Sequence, residues 1–331
     1  MHILSCFFIV LTERPKVKGK ERYKPMNRYY PEGKLGKCPA NLSEVEEYIQ
    51  NKTIAEALCV LCTGEHDLIV DLGWCVGKIP RCEGAVGIDD GTTRDIALIS
   101  RVNKPVQFVI TGFETDENGK TRLLLSRRLA QKDCTENYIS KLKCGDIIPA
   151  RVTHMEQFGA FVDIGCGIAS LVPIDLISVS RISHPSDRFT VGQSIICAVK
   201  TIDDSKITLT HKELLGTWQE NADSFGIGET VTGIVRSIES YGIFVELKPN
   251  LAGLAELKPD IRVGSKVSVY IKSIIPDKMK IKLIIVETFD CDKTEKPSDF
   301  DYFITSGRLE KWKYSTERSD KTIITDFTGY P

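Results

Sequence analysis

The sequence predicts a mainly β protein: tandem five-stranded β-barrels, short linking helices and a small C-terminal appendage. Three observations predict it. The segment Gly145-Asp-Ile-Ile-Pro-Ala-Arg-Val-Thr-His-Met-Glu-Gln-Phe-Gly-Ala-Phe-Val-Asp163 recurs 83 residues later as Gly228-Glu-Thr-Val-Thr-Gly-Ile-Val-Arg-Ser-Ile-Glu-Ser-Tyr-Gly-Ile-Phe-Val-Glu246. Each copy runs from a glycine-acid turn through an apolar strand into an aromatic-Gly-X-Phe-Val-acid sextet, so one small β module is repeated. A fainter copy stands 92 residues before the middle one, where His66-Asp-Leu-Ile-Val-Asp-Leu-Gly73 lines up with Phe158 to Gly165. In that first copy, strand-like runs at 57–62, 67–72, 77–79, 106–113 and 122–126 have the spacing of a small closed barrel.

In chain order, residues 1–40 form a tail. Its opening Ile3-Leu-Ser-Cys-Phe-Phe-Ile-Val-Leu11 is apolar for nine residues only, lacks a basic stretch before it, and is too short to cross a bilayer. Residues 1–25 are expected to be disordered or a mis-assigned start, with Met26 as the natural one. Seven basic residues between Arg14 and Arg28, with Tyr23, Tyr29 and Tyr30 nearby, suit a solvated charged tail; the same composition can track phosphates and stack on bases. Residues 41–130 hold the first, degenerate barrel. A helix capped by Asn41 or Ser43 leads into it, and Glu117-Asn-Gly119 is a hairpin turn. A polar helical link at 127–138 precedes the middle barrel at 141–215. Residues 211–223 link it to the third at 225–287, with Leu214, Leu215 and Trp218 at helical spacing and Trp218 packing between domains. A linker follows at 288–298. Residues 299–331 form the appendage, with strands at 302–305 and 322–325, docked on the third barrel through buried Trp312 and Tyr314.

Composition bounds function without naming it. The 331 residues carry 42% hydrophobic and 27% charged side chains and a formal charge of −1, so no overall basic excess advertises nucleic acid. The middle repeat balances eight Lys/Arg against eight Asp/Glu over 141–214, and the third has nine against seven over 225–287. Any affinity for RNA must therefore come from local patches and stacking. Eleven scattered cysteines, an odd number, read as free thiols in a reducing cytoplasm. Cys59 and Cys62 stand three apart in a strand without the turn of a metal knuckle, so no metal and no cofactor are expected. No nucleophile and base stand at a catalytic spacing and no phosphate-binding glycine loop is present, which argues against an enzyme.

The middle repeat contains, in order, Phe158-Gly-Ala-Phe-Val-Asp-Ile-Gly165, Ser170-Leu-Val-Pro173, Val191-Gly-Gln193, Ile202-Asp203 and Lys206-Ile-Thr-Leu-Thr210. The third keeps Tyr241-Gly-Ile-Phe-Val-Glu246, Gly253-Leu-Ala255, Val263-Gly-Ser265 and Lys280-Ile-Lys-Leu283. These elements resemble the S1 RNA-binding domain, the OB-fold repeat of ribosomal protein S1 and of RNA-degrading proteins. The resemblance implies an outward stacking platform made by Phe158 and Phe161, and by Tyr241 and Phe244. Three apart, each pair would face opposite sides of a regular strand, and a bulge or bend at Gly159 is the expected device that turns both outward. Arg151, His154, Asp203 and Lys206 in the middle repeat, and Arg236 and Lys280 in the third, complete the candidate RNA-binding set. The family histidine is absent: Pro80, Pro173 and Glu256 occupy its place. With lysine for arginine in the last hairpin, salt-sensitive contact of low sequence specificity is expected. The first barrel, with His66 and Ile69 in place of rings, is expected to bind RNA poorly.

The resulting expectation is a cytoplasmic protein, without membrane attachment, that holds single-stranded mRNA in translation, with the small ribosomal subunit as partner. Two alternatives stand beside it: a factor that delivers RNA to a decay complex, and a protein-interaction scaffold whose barrels have lost RNA.

Overall fold

The computed structural model describes residues 29–115, 121–203, 206–289 and 300–329. The basic stretch up to Arg28, the turn at 117–119 and most of the 288–298 linker lie outside the described residues. Helix α1 (Leu42–Gln50) is capped by Asn41, whose side chain accepts the Glu44 N–H at 3.0 Å. Strands β1 (Ile54–Cys62), β2 (Leu68–Asp71) and β3 (Val76–Ile79), the short helix α2 (Ile96–Ile99), and strands β4 (Lys104–Thr115) and β5 (Thr121–Ser126) make the first barrel. Helix α3 (Arg127–Asn137), capped by Ser126, leads to β6 (Ile147–Glu156), β7 (Gly159–Asp163), β8 (Ala169–Pro173), β9 (Ser194–Asp203) and β10 (Lys206–Thr210). After α4 (Trp218–Ala222) come β11 (Thr230–Glu239), β12 (Gly242–Lys248), β13 (Leu251–Ala255), β14 (Lys266–Ile275) and β15 (Lys280–Phe289). Strands β16 (Lys311–Lys313) and β17 (Ile324–Asp326) form a separate hairpin.

All three barrels close in one order, first-second-third-fifth-fourth strand, with one parallel contact between the third and fifth strands. Closure satisfies the backbone groups that an open sheet would leave at its edges. Alternation sets the inside: in β15, Ile281, Leu283 and Ile285 point inward while Lys280, Lys282 and Ile284 face out. The cores are built on Phe108 and Leu125 in the first barrel, Val162, Cys197 and Leu209 in the second, and Val245, Val269 and Ile271 in the third.

Polar ties lock neighbouring barrels together. Glu32, on the segment entering the first barrel, takes Arg127 Nε at 2.7 Å and Nη2 at 3.1 Å, Arg101 Nη1 at 3.2 Å and the Gln107 N–H at 3.1 Å. Its own N–H donates to Asp163 of the middle barrel at 2.6 Å. Burial works to raise the Glu32 carboxyl, yet Arg127 and Arg101 hold it below the usual range; burial and the neighbouring Glu32 charge push Asp163 up to about 7. Between the second and third barrels, Arg188 and Arg236 both bond Glu246. Asn250 joins three segments there: Oδ1 accepts the Val179 N–H at 3.0 Å, and Nδ2 donates to the Lys212 and Gly216 carbonyls at 2.7 and 2.8 Å.

The appendage differs from its expectation. It docks on the middle barrel as well as the third: Leu309 and Phe327 pack on Ile147, Ala198 and Leu214, Tyr302 O–H meets the buried His211, and Trp312 and Tyr314 join the third core. Residues 302–305 are not a strand: Tyr302 turns in toward His211, and the Phe303 N–H donates to the Leu214 carbonyl of the linker at 2.9 Å. Trp218, at the start of the helix that links the two barrels, has the packing role expected of it: it is buried and joins the third core.

Candidate nucleic-acid interface

The two aromatic sextets build the same surface twice. Phe158 sits in the tight turn between β6 and β7 and is 57% exposed; Phe161 stands on the outer face of β7, half-buried. Their centroids lie 5.9 Å apart with the rings perpendicular. Tyr241 occupies the corresponding turn before β12, 68% exposed, at 6.1 Å and perpendicular to Phe244. Edge-to-face contact holds each pair in a fixed relation and leaves ring faces toward solvent.

Of the two devices expected at Gly159, the chain uses a bend and not a bulge: the tight turn ends at Phe158 and β7 begins at the glycine. The aromatic ahead of the glycine lies in the turn, outside the strand's alternation. The bulge lies on the partner strand, where the register shifts between Val152 and His154 and between Val235 and Ser237. Glycine serves a different need: a Cβ on Gly159 would stand 2.6 Å from the Val172 carbonyl oxygen, and one on Gly242 2.7 Å from that of Ala255. The third strand approaches too closely for any side chain.

Strand register extends each platform. Across the middle barrel the outward row reads His154, Phe161, Leu171, Thr208, and across the third Ser237, Phe244, Leu254, Lys282. His154 lies nearly parallel to Phe161 at 6.2 Å, with Nε2 2.6 Å from the Glu156 carboxylate, so it adds a third ring to the middle platform. Asp203 and Lys206 face each other at the end of the β9–β10 hairpin, both exposed, and Lys280 is exposed at the matching end of β15. Sequence reasoning passed over Lys282, although two-residue alternation places it on the face that Lys280 shares.

Two candidates fall elsewhere. Arg151 donates from Nη1 to the Glu32 carbonyl at 2.8 Å and from Nε to the Gly192 carbonyl at 3.1 Å, fastening the entering segment to the middle barrel. Arg236 is 11% exposed and held by Glu246 at 2.9 Å, with Asp187 at 3.7 Å. Both belong to junctions between segments, and neither joins an aromatic platform. Tyr29, from the edge of the basic stretch, is likewise buried and stacked on Tyr138 at 5.9 Å. In the first barrel the same outward row carries Leu61, Ile69, Lys78 and Leu124, and His66 fills the turn position. No aromatic pair stands there. Among the described residues, no helix is long and apolar enough to cross a membrane.

Comparison with known proteins agrees with this geometry. Residues 141–212 match the S1 RNA binding domain family. The small ribosomal subunit protein bS1 of Chlamydia muridarum is 30% identical over 203 residues, 56% of this chain and 35% of that protein. The bS1 of Staphylococcus aureus (strain COL) is 26% identical over 305 residues, 87% of this chain and 73% of that protein. The solution structure of GSP13 from Bacillus subtilis shares 25% identity over 21% of this chain and 55% of its own, with a TM-score of 0.20. The chain spans about a third of the length of the chlamydial relative. Its middle barrel thus matches the S1 RNA binding domain family, in a chain that resembles small ribosomal subunit protein bS1 at modest identity over most of its length.

Proposed function

We propose that the protein binds single-stranded RNA with little sequence choice, through the aromatic platforms of its middle and third barrels, in the cytoplasm and in company with the small ribosomal subunit. The observation that carries this reading is the repeated pair of perpendicular rings, one member of each more than half exposed, set on two barrels of the same build. A base offers a π-face whatever its identity, so stacking is tolerant of sequence, at about 1–3 kcal/mol per base. Lys206, Lys280 and Lys282 supply phosphate contacts, and the affinity falls with salt accordingly. The family match in the middle barrel and the names of the bS1 relatives support RNA as the ligand and the small ribosomal subunit as its setting. Arg151 and Arg236 take no part in binding; they hold segments in place. The first barrel, with an aliphatic row, binds RNA weakly and keeps a docking role.

Anisotropy of a labelled, unstructured oligouridylate on the full chain tests this reading. Phe158→Ala and Tyr241→Ala should each weaken binding about 5- to 100-fold, which corresponds to about 1–3 kcal/mol. Because both rings are exposed, the variants should keep the wild-type circular dichroism. Wild-type affinity in the double variant would exclude the platforms as the site.

A further inference from the structure

The three barrels share a second face, away from the rings, and its cover differs from barrel to barrel. Strand register identifies it: Ile54, Val109 and Ser126 in the first barrel, Ile147, Ala198 and Thr210 in the second, Thr230, Tyr270 and Ile284 in the third. In the first it is buried under α3, through Ala130 and Cys134. In the second it is buried under Leu214 of the following linker and under Leu309 and Phe327 of the appendage. In the third it is bare: Tyr270 is 38% and Ile284 44% exposed, with exposed Val286 beside them.

The cover on the middle barrel shows what the bare face is shaped to take. There the segment around Arg308 lies antiparallel to Asp146, with Ile147 N–H donating to the Gly307 carbonyl at 3.0 Å and Leu309 N–H to the Gly145 carbonyl at 2.9 Å. Gly145 has φ +89°, and its missing side chain admits the chain, since a Cβ would stand 1.9 Å from the Leu309 carbonyl oxygen. Arg308 Nε lies 3.9 Å from Asp146 Oδ1. The third barrel keeps the glycine turn and the acidic residue of this receptor, with Thr230 and Tyr270 in the places of Ile147 and Ala198. Gly228 has φ +91° with nothing closer to a Cβ than the Tyr270 hydroxyl at 3.9 Å. Glu229 stands for Asp146, its carboxylate accepting the Gly226 N–H at 2.8 Å as Asp146 accepts that of Lys143 at 2.8 Å. Residues 228–230 are exposed.

We infer that the Gly228–Thr230 turn, with Tyr270 and Ile284, is a docking site for an extended segment of a partner protein that presents a small residue, a basic residue and an aliphatic one, in the order of Gly307-Arg308-Leu309. Backbone pairing with residues 228–230 sets the register, the basic residue meets Glu229, and the aliphatic side chain covers Ile284. Ile284 follows Lys282 by two residues on the outward side of β15, so the site adjoins the end of the platform row while standing apart from the Tyr241–Phe244 rings.

A labelled synthetic peptide of residues 304–314, added to the full chain, probes the site while the middle barrel's own receptor is filled by the appendage. Saturable binding is expected, weakened at least tenfold by Ile284→Lys or Tyr270→Ala in the protein and by Arg308→Glu in the peptide, and unchanged by Tyr241→Ala. Both protein substitutions are at exposed positions, and circular dichroism confirms their folding. No saturable binding at millimolar peptide, or binding indifferent to both substitutions, overturns the proposal. Sedimentation velocity of the chain alone supplies a further outcome: a dimer that Ile284→Lys abolishes would make a second copy the occupant and overturn the assignment to a separate partner.

Discussion

Replacing Arg127 by methionine should release the entering segment from the first two barrels. Arg127 is 4% exposed, and its guanidinium makes a bidentate pair with Glu32 at 2.7 and 3.1 Å. Methionine fills the volume but leaves a buried carboxylate supported only by Arg101 and the Gln107 N–H. Breaking one end of a buried pair costs about 3–5 kcal/mol, most of it the penalty of the stranded charge. The loss should be local. The amides of Glu32, Gly33 and Gly36 all donate to carboxylates of this network, at 2.6, 2.7 and 2.9 Å. Hydrogen exchange read by mass spectrometry on a peptide covering residues 30–38 should therefore speed up at least about a hundredfold, the factor for about 3 kcal/mol. Replacing both partners, Arg127→Met with Glu32→Gln, should be milder than Arg127→Met alone, since no charge is left behind. Acceleration below about fivefold in the single variant, or a double variant that exchanges as fast as the product of the singles, would refute the reasoning.

Asp163 gives the same junction a pH dependence. Its folded value of about 7 lies above the ordinary carboxylate value, so the folded state holds a proton that the unfolded state has released, and stability falls as pH rises from about 4 to 7. In urea titrations this slope should be missing from Asp163→Asn, which keeps an acceptor for the Gly165 and Gly167 N–H groups; an identical slope in the two proteins would remove Asp163 as its source. Gly159→Ala should destabilise the middle barrel by about 1–3 kcal/mol because the Val172 carbonyl must move, and a melting temperature equal to wild type would contradict the close approach. Asn250→Ala strands the Val179 N–H and two carbonyls, so the Val179 amide should exchange at least tenfold faster, for about 1–3 kcal/mol per unsatisfied buried group; unchanged protection would show that Asn250 is not the tie it resembles.

The middle and third barrels were legible because both repeat a short grammar of left-handed turn, alternating strand and aromatic-Gly-X-Phe-Val hairpin, and the first because it keeps the spacing of that grammar without its rings. That grammar is local. The ring pairs were legible for the same reason, although their outward display comes from a turn and from bulges in the partner strands, which only register reveals. Arg151 misled because a cation beside a platform in sequence can be consumed by a group distant in the chain: Glu32 stands 119 residues before it, whereas Arg236 is taken by Glu246, 10 residues on in its own repeat. The expected strand at 302–305 in the appendage failed similarly. Its alternating residues at 302–305 have the pattern of a strand, but Tyr302 is held by His211, 91 residues away, and nothing within the segment specifies that contact.

The outward row and the barrel that displays it are specified by different residues, which explains how the first barrel lost its rings without losing its fold. Core positions alternate with row positions, so Val70 and Leu125 can stay buried while Ile69 and Leu124 beside them change freely. The backbone devices also persist: the bulge recurs between Cys59 and Leu61, and the left-handed residue before the first strand recurs as Lys52, at φ 48°. Lysine there bears a steric cost that Gly145 and Gly228 avoid, in a turn that closes α1, where the Lys52 N–H donates to the Ile49 carbonyl at 3.3 Å and the Thr53 N–H to that of Tyr48 at 2.9 Å. Loss of stacking therefore requires no loss of architecture, and the second face, which binds protein rather than RNA in two of the three copies, follows a history of its own.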